Sequence, residues 1–498
     1  MTQQSKMSPL NQRCAGILLH ISSLPNSSYV GDLGPEAYRF VDFLHDIGAK
    51  VWQTLPINMP HADNSPYQCL SAYAGNPDFI SLEYLQIKRL LVKEDLNSPI
   101  TNKLHLIEKA YQVFSKKTNN IQQQQDFVEF CTKQAHWLDD FSLFLALRSK
   151  FHQAGWHEWP DDYKNREIQT LKKARKALAQ QILVIQFTQF IFFSQWLKLK
   201  AYAAKKKVFL FGDIPIFVAY DSADVWAKPH LFKLDADKHM AVVAGVPPDY
   251  FSETGQRWGN PHYNWDAMAS DGYAWWISRM ETQSKLFDIV RIDHFRGLES
   301  AWEIPATEDT AINGQWALAP GDALLAAIKK ALPRICLVAE DLGIITDEVN
   351  ALRTKYHLPG MKILQFAFSG EEDNPYLPHH IEENSVVYTG THDNDTTLGW
   401  YQSADEGQRK HLYDYLQSSH SENHELNMPK DLIDMALKSD ALLAIIPMQD
   451  ILALDSTNRM NVPGTSTGNW HWRFNWQQLS IAQQAGITAA ILDSRRSE

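Results

Sequence analysis

A chain of 498 residues with 44% hydrophobic content can bury a large core, enough for roughly two to four ordinary domains or one large barrel with insertions. Its formal net charge of −11 excludes a general polyanion binder, because no broad positive field would gather phosphates. The dense basic stretches, KKARK at 172–176 and KKK at 205–207, lack interleaved aromatics and read as solvated helix surface, so no nucleic-acid partner is expected.

Short runs rich in Val, Ile and Leu recur along the chain, the pattern of strands buried on both faces. The first, GILLHISSL (16–24), follows MTQQSKMSPLNQR, which has no apolar signal region, and a compact form whose barrel starts almost at once is expected. A helical pattern, YRFVDFLHDIG, leads to the second run, VWQTLPI (51–57). About 150 residues then intervene, and Gln- and Lys-rich helical material at 84–205 is expected to form an inserted subdomain over the barrel mouth. Its most apolar stretch, Ile182 to Leu199, is interrupted by Gln186, Thr188, Gln189, Ser194 and Gln195, and reads as a buried helix rather than a membrane span. The third run is VFLFGDIPIF (208–217). A second insertion, 218–285, carries AGVPPDYFSETGQRWGNPHYNW and reads as a functional loop subdomain over the active site. The remaining runs are DIVRIDHF (288–295), ICLVAEDLG (335–343), MKILQFAF (361–368), SVVYTGTHD (385–393) and LLAIIPMQD (442–450). Eight β–α alternations predict an α/β fold, a single catalytic (β/α)8 TIM barrel over 1–498 with insertions after strands 2 and 3. Cys14, Cys69, Cys131 and Cys336 are scattered without a C-x-x-C pair, which predicts neither disulfides nor structural zinc and fits a reducing cytoplasm.

Three runs end in acids: IVRIDHFRG holds Asp293, LVAEDLG holds Glu340, and VVYTGTHDND holds His392 and Asp393. Barrel active sites form at the C-terminal strand ends, so separate strands can bring these carboxylates to one bond. Arg291 and Asp293, two apart, share a strand face, and the guanidinium would keep the acid ionised, as a nucleophile requires; an ordinary ion pair is the alternative. Glu340 emerges from apolar neighbours that would raise its pKa toward that of a general acid, unless it is merely solvated beside an N-capping Asp341. Asp393, between His392 and Asn394, would stay charged and clamp sugar hydroxyls, or else belong to an Asx-rich loop. Asp213, in FLFGDIPIF, is a further inward candidate for sugar binding or a structural turn. An ionised and a protonated carboxyl about 5 Å apart perform glycosyl transfer with retention through a covalent glycosyl-enzyme.

Sugars stack on aromatic rings, and of the 16 Trp, 18 Tyr and 23 Phe the best placed are Tyr250, Phe251 and Trp258 in the second insertion. Asp293, His294, Glu340, His392 and Asp393 also form a tempting metal-ligand set. Adjacent residues on a regular strand face opposite ways, however, so no metal and no cofactor is expected.

The strings GILLHISSLP, NSPYQCLSAYAGNP (64–77), GDIPIFVAYDSADVW, GVPPDYFSETGQRWGNP, VRIDHFRG, AEDLG, YTGTHDNDTTLGWY and RMNVPGT resemble those of the 4-α-glucanotransferases, or amylomaltases, of glycoside hydrolase family 77. The resemblance runs from near residue 16 to the end. It implies that Asp293 is the nucleophile, Glu340 the acid/base and Asp393 the transition-state stabiliser, with Arg291, His294, His392 and Asp213 on the sugar. It further implies that Tyr250, Phe251 and Trp258 belong to a mobile loop closing over α-1,4-glucans, and that Ser65, Tyr67, Asn461 and Gly464 line subsites. One departure is INMPHADN (57–64), where some relatives have a Gly- and Tyr-containing turn, which argues against a secondary glucan-binding site. A hydrolase of the same clan is the alternative, since both outcomes use the same acids; the aromatic loop favours transfer by excluding water. A non-catalytic glucan-binding protein would be expected to have lost an acid, and none is lost.

Overall fold

The computed structural model describes residues 10–25, 30–96, 103–116, 121–248, 252–419, 425–465 and 467–497. Its strands, in chain order, are β1 (Cys14–Leu18), β2 (Val51–Gln53), β3 (Phe209–Pro215), β4 (Val242–Val246), β5 (Gln256–Pro261), β6 (Ile289–Asp293), β7 (Ser300–Pro305), β8 (Gln315–Leu318), β9 (Leu337–Ala339), β10 (Gly360–Ile363), β11 (Ser385–Tyr388) and β12 (Leu443–Pro447). The eight apolar runs supply β1, β2, β3, β6, β9, β10, β11 and β12, which pair in parallel in the order β10-β11-β12-β1-β2-β3-β6-β9. The remaining seam is nearly closed: the Ala339 N–H donates to the Pro359 carbonyl at 2.9 Å. Asp341 caps no helix there. It accepts from the Met361 N–H at 2.7 Å and pairs with Arg353 at 3.2 Å, tying β9 to β10. The predicted (β/α)8 barrel is the observed architecture.

Strand alternation divides the core in two. Cys14, Leu18, Val51, Phe211, Ile289, Val338, Met361, Val386, Tyr388 and Ile445 form one cluster, inside the barrel. Ile17, Trp52, Leu210, Ile214, Val290, Ile292, Ala339, Val387 and Ala444 form the other, facing the helical layer. Helix Pro35–Asp46 shows how that layer arises. Proline at its start presets φ, Glu36 lies in the first turn, and Ala37, Phe40, Val41 and Leu44 recur at helical spacing and are buried. Residues 364–384 depart from the alternation, carrying two 3-10 turns, Leu364–Phe366 and Pro378–His380, in place of a helix.

Between β2 and β3, helices Ile121–Lys150 and Ala179–Lys205 pack against each other. The second is long and apolar enough to cross a membrane by length and composition. Its Phe187, Ile191, Phe192, Trp196 and Leu199 are nonetheless buried in the fold, as the sequence reading of Ile182 to Leu199 anticipates. The polar interruptions have partners. The Gln189 carboxamide accepts from the Gly75 N–H at 2.8 Å and donates to the Gly75 carbonyl at 3.0 Å, and Gln195 does the same for Ser81 at 2.8 and 3.0 Å. Two glutamines on one helix thus hold the segment 75–81 by its backbone.

A second sheet, antiparallel in the order β5-β4-β7-β8, was not predicted. Its strands β7 and β8 follow β6, so an insertion after the fourth barrel strand joins the two expected ones. The physical reason is exposure: β8 and the start of β5 are largely solvent-facing, so neither carries the unbroken apolar run that marks a doubly buried strand.

Candidate active site

Along β6 the inward face reads Ile289, Arg291, Asp293: apolar at the barrel floor, charged at the C-terminal mouth. On the adjacent strand Asp213 lies in register with Arg291. The buried guanidinium bridges two carboxylates, Nη1 reaching Asp213 Oδ2 at 2.6 Å and Nη2 reaching Asp293 Oδ1 at 2.7 Å. The Tyr67 hydroxyl donates to the same Asp213 oxygen at 2.8 Å. Asp213 is 1% exposed, whereas the Asp293 side chain is 28% exposed and faces the cleft.

Glu340 follows β9 and is laced to the end of β6. Its N–H donates to the Ile292 carbonyl at 3.1 Å. Its carboxyl accepts from the His294 N–H at 2.6 Å and the Leu342 N–H at 3.1 Å, which brings it beside Asp293. Burial pushes the Glu340 carboxyl up to about 7, against the pull of Arg291, and the neighbouring Asp293 charge adds to the rise. Burial also pushes Asp293 up to about 6. The sequence reading had Arg291 keeping this acid fully ionised; the guanidinium lowers it, but its charge is divided between Asp293 and Asp213, and Asp213 itself raises it. Burial thus raises both acids of the pair, and Arg291 pulls both back down.

Asp393 behaves oppositely. Burial alone would raise it, but His392, a hydrogen bond from Asn461 and the charge of Arg291 bring it down to about 2. His392 Nε2 lies 3.3 Å from one carboxylate oxygen and Asn461 Nδ2 donates to the other at 2.7 Å. This corrects the expectation that His392 and Asp393 point apart. β11 ends at Tyr388, and residues 391–395 form a turn in which Thr391 donates from both N–H and Oγ1 to Asn394 Oδ1 at 2.9 and 2.8 Å, so strand alternation does not apply. The His392 ring stacks on Tyr67, with centroids 5.2 Å apart and planes 14° apart.

His294 likewise lies just past its strand, at φ 53°, and turns its ring edge-on to Trp258 at 4.8 Å. Burial lowers this imidazole to about 3, so it is neutral, and its Nε2 is buried without a hydrogen-bond partner among the described residues. Ser65 Oγ accepts from the Tyr67 N–H at 3.4 Å, which shapes the loop that delivers Tyr67. Gly464 occupies the turn beyond Asn461 at φ +80°, a left-handed conformation suited to glycine, and no described contact joins it to the acids. Tyr250 and Phe251 lie outside the described residues.

Two neighbours escaped the sequence reading. Trp470 packs against both Tyr67 and His392 with centroids 6.0 Å away, and Arg459 donates to the Asp393 carbonyl at 3.0 Å. The only signal for Arg459 was its place as the first residue of the string RMNVPGT, of which only Asn461 and Gly464 were singled out. Among the described residues, side chains spaced to hold a metal ion occur at Asp235, Asp237 and His239, which are exposed and separate from this cluster.

The arrangement presents two neighbouring carboxyls raised by burial and one firmly charged carboxylate around an open barrel mouth. The 4-alpha-glucanotransferase family model matches residues 19–479. A 4-alpha-glucanotransferase of Synechocystis sp. is 47% identical over 486 residues, covering 95% of each chain. That of Thermus thermophilus is 45% identical over 489 residues, covering 96% of this chain and 98% of the relative. Among solved structures, the amylomaltase from Streptococcus agalactiae in complex with acarbose matches with a TM-score of 0.93 at 35% identity, over 97% of this chain and 100% of that one. Likeness of this extent, at this identity, shows that the chain is an enzyme of the 4-alpha-glucanotransferase family, glycoside hydrolase family 77, and that its reaction is glucan transfer.

Proposed function

We propose that transfer proceeds by double displacement with retention. An α-1,4-glucan binds across the barrel mouth, Glu340 protonates the leaving glycosidic oxygen, and Asp293 attacks the anomeric carbon to give a covalent glycosyl-enzyme. The departing sugar leaves, and Glu340, now a base, takes the proton from the 4-hydroxyl of an acceptor glucan that displaces Asp293. Asp393, held charged by His392 and Asn461, stabilises the positive charge that develops on the ring in both steps. The observation that carries this reading is the geometry of two adjacent carboxyls at the barrel mouth, Asp293 paired with Arg291 at 2.7 Å and Glu340 accepting from the N–H of the next residue, His294, at 2.6 Å. Maltooligosaccharides as substrates are supported by the family and by the acarbose-bound relative.

Incubation with maltotriose is expected to give glucose and longer maltodextrins, and the newly formed linkages, read by proton NMR, are all α. A β-linked first product would overturn the mechanism. Asp293→Asn is expected to lose at least about 10³-fold in rate while still binding the trisaccharide. The four cysteines are scattered along the chain without a C-x-x-C pair, a usage that suits a reducing compartment, and the cytoplasm is the compartment we infer. Fractionation of cells carrying the tagged chain tests this, and recovery outside the cytoplasm would reject it.

A further inference from the structure

Residues 459–465 fold back onto the turn 391–395, and one side chain fastens the two together. Arg459 Nη2 donates to the Asp393 carbonyl at 3.0 Å, Nε donates to the Asn461 carbonyl at 3.2 Å, and Nη1 faces Asp395 Oδ2 at 3.8 Å. Asp395 is itself fixed, accepting from Ser456 Oγ at 2.7 Å and, through its carbonyl, from Gln365 Nε2 at 2.9 Å. The guanidinium therefore touches the backbone of Asp393 and the backbone of Asn461, the residue whose amide donates to the Asp393 carboxylate at 2.7 Å. That amide comes from a loop whose own turn is largely exposed, and a half-exposed carboxylate offers it little packing to hold it in place.

We propose that Arg459 is a positioning residue for glucan transfer, a splint that holds Asn461 and the Asp393 turn in one geometry so that the charged carboxylate meets the sugar ring correctly placed. It acts through shape rather than field. Arg459 sits behind Asp393, on its carbonyl, and its planar fork makes two backbone hydrogen bonds while facing the Asp395 carboxylate, which a lysine ammonium on a flexible stem cannot reproduce. Residues that orient a reacting group from behind typically contribute about 10- to 100-fold, and a misplacement of about 1 Å can cost about 10²-fold.

This inference rests on the role proposed for Asp393, and the experiment separates the two. Arg459→Lys and Arg459→Ala are expected to lower kcat on maltotriose about 10- to 100-fold with KM within about threefold, because the geometry lost is that of the transition state. Thermal midpoints should stay within a few degrees of the parent, and guanidinium ion added to Arg459→Ala should restore part of kcat. Adding Asn461→Ala to Arg459→Ala should cost less than about threefold more, since both changes break the same arrangement. An Arg459→Lys enzyme with near-parental kcat overturns the splint, as does a loss borne by KM or full additivity with Asn461→Ala. Should Arg459→Ala fail to fold, Arg459→Lys and Asn461→Ala decide the matter alone: matched falls in kcat support the proposal and unmatched ones reject it. Asp393→Asn is the control. Retained transfer in that variant defeats the parent reading, whereas a dead Asp393→Asn beside a fully active Arg459→Lys defeats only the splint.

Discussion

Burial raises both Asp293 and Glu340, and the pH dependence of transfer reads the two carboxyls as a pair. Under the proposed mechanism, activity requires Asp293 charged, a state present above its pKa of about 6, and Glu340 protonated, a state present below its pKa of about 7. The expected kcat/KM profile is a narrow bell with limbs near these values. Asp213 raises Asp293 and competes for Arg291, so Asp213→Asn should move the acidic limb to lower pH; an unmoved or higher limb would show that Asp213 does not tune Asp293. The acids were legible in the sequence because each closes an apolar run, and the polar neighbours of Asp393 announced its charge. Arg291 between Asp213 and Asp293 was half legible: the i, i+2 spacing gave one partner, while the other depended on which strand lies next to β6. Trp470 and Arg459 were not readable, since no local pattern states which distant loop folds back onto which turn.

At the scale of elements, the helix Ala179–Lys205 sets the height of the loop that carries Tyr67. Phe192 lies so close to Gly75 that any side chain there would collide with the ring, and Gln189 grips the Gly75 backbone from the same helix face. Gln195→Ala leaves the buried Ser81 N–H and carbonyl without that partner and should cost about 1–3 kcal/mol of stability with little change in KM. Gln189→Ala should cost a similar amount and also raise KM for maltotriose severalfold, because the loosened segment leads back to Tyr67 and its bond to Asp213. Equal KM values for the two variants would show that the loop is held elsewhere. The barrel strands were legible for the reason that makes them strands here: burial on both faces demands continuous Val, Ile and Leu. Glutamines within a greasy helix marked it as a buried helix, but their partners belong to tertiary structure. The side sheet escaped because an exposed face lets polar residues enter a strand and erases the apolar run.

The whole molecule separates chemistry from cohesion along the barrel axis, as parallel barrels do, with the reacting groups at the C-terminal strand ends and closure at the other. The charged groups at the lower end serve the second task. Arg496 is fully buried, its Nε donating to the Leu437 carbonyl at 2.6 Å, Nη1 to the carbonyls of Cys14 at 3.1 Å and Leu442 at 3.3 Å, and Nη2 to that of Ser439 at 2.8 Å. Arg13 adds a bond to the same Ser439 carbonyl at 2.6 Å. One side chain of the final segment therefore clasps the starts of β1 and β12, and the preceding helix Ile481–Asp493 docks through Ile487 and Ile491. Nothing in a polar DSRRSE ending marks one of its arginines as interior, because burial of that charge is decided by carbonyls far away in sequence. Arg496→Ala removes charge-assisted bonds and strands their acceptors, so it should cost about 3 kcal/mol, measured as a lower thermal or denaturant midpoint. Because the clasp lies at the opposite end of the strands from Asp293 and Glu340, kcat at a temperature where the variant is folded should stay within about twofold of the parent. A fall in kcat without a fall in midpoint would mean that the two ends of the barrel are coupled, contrary to the division of labour that the fold imposes.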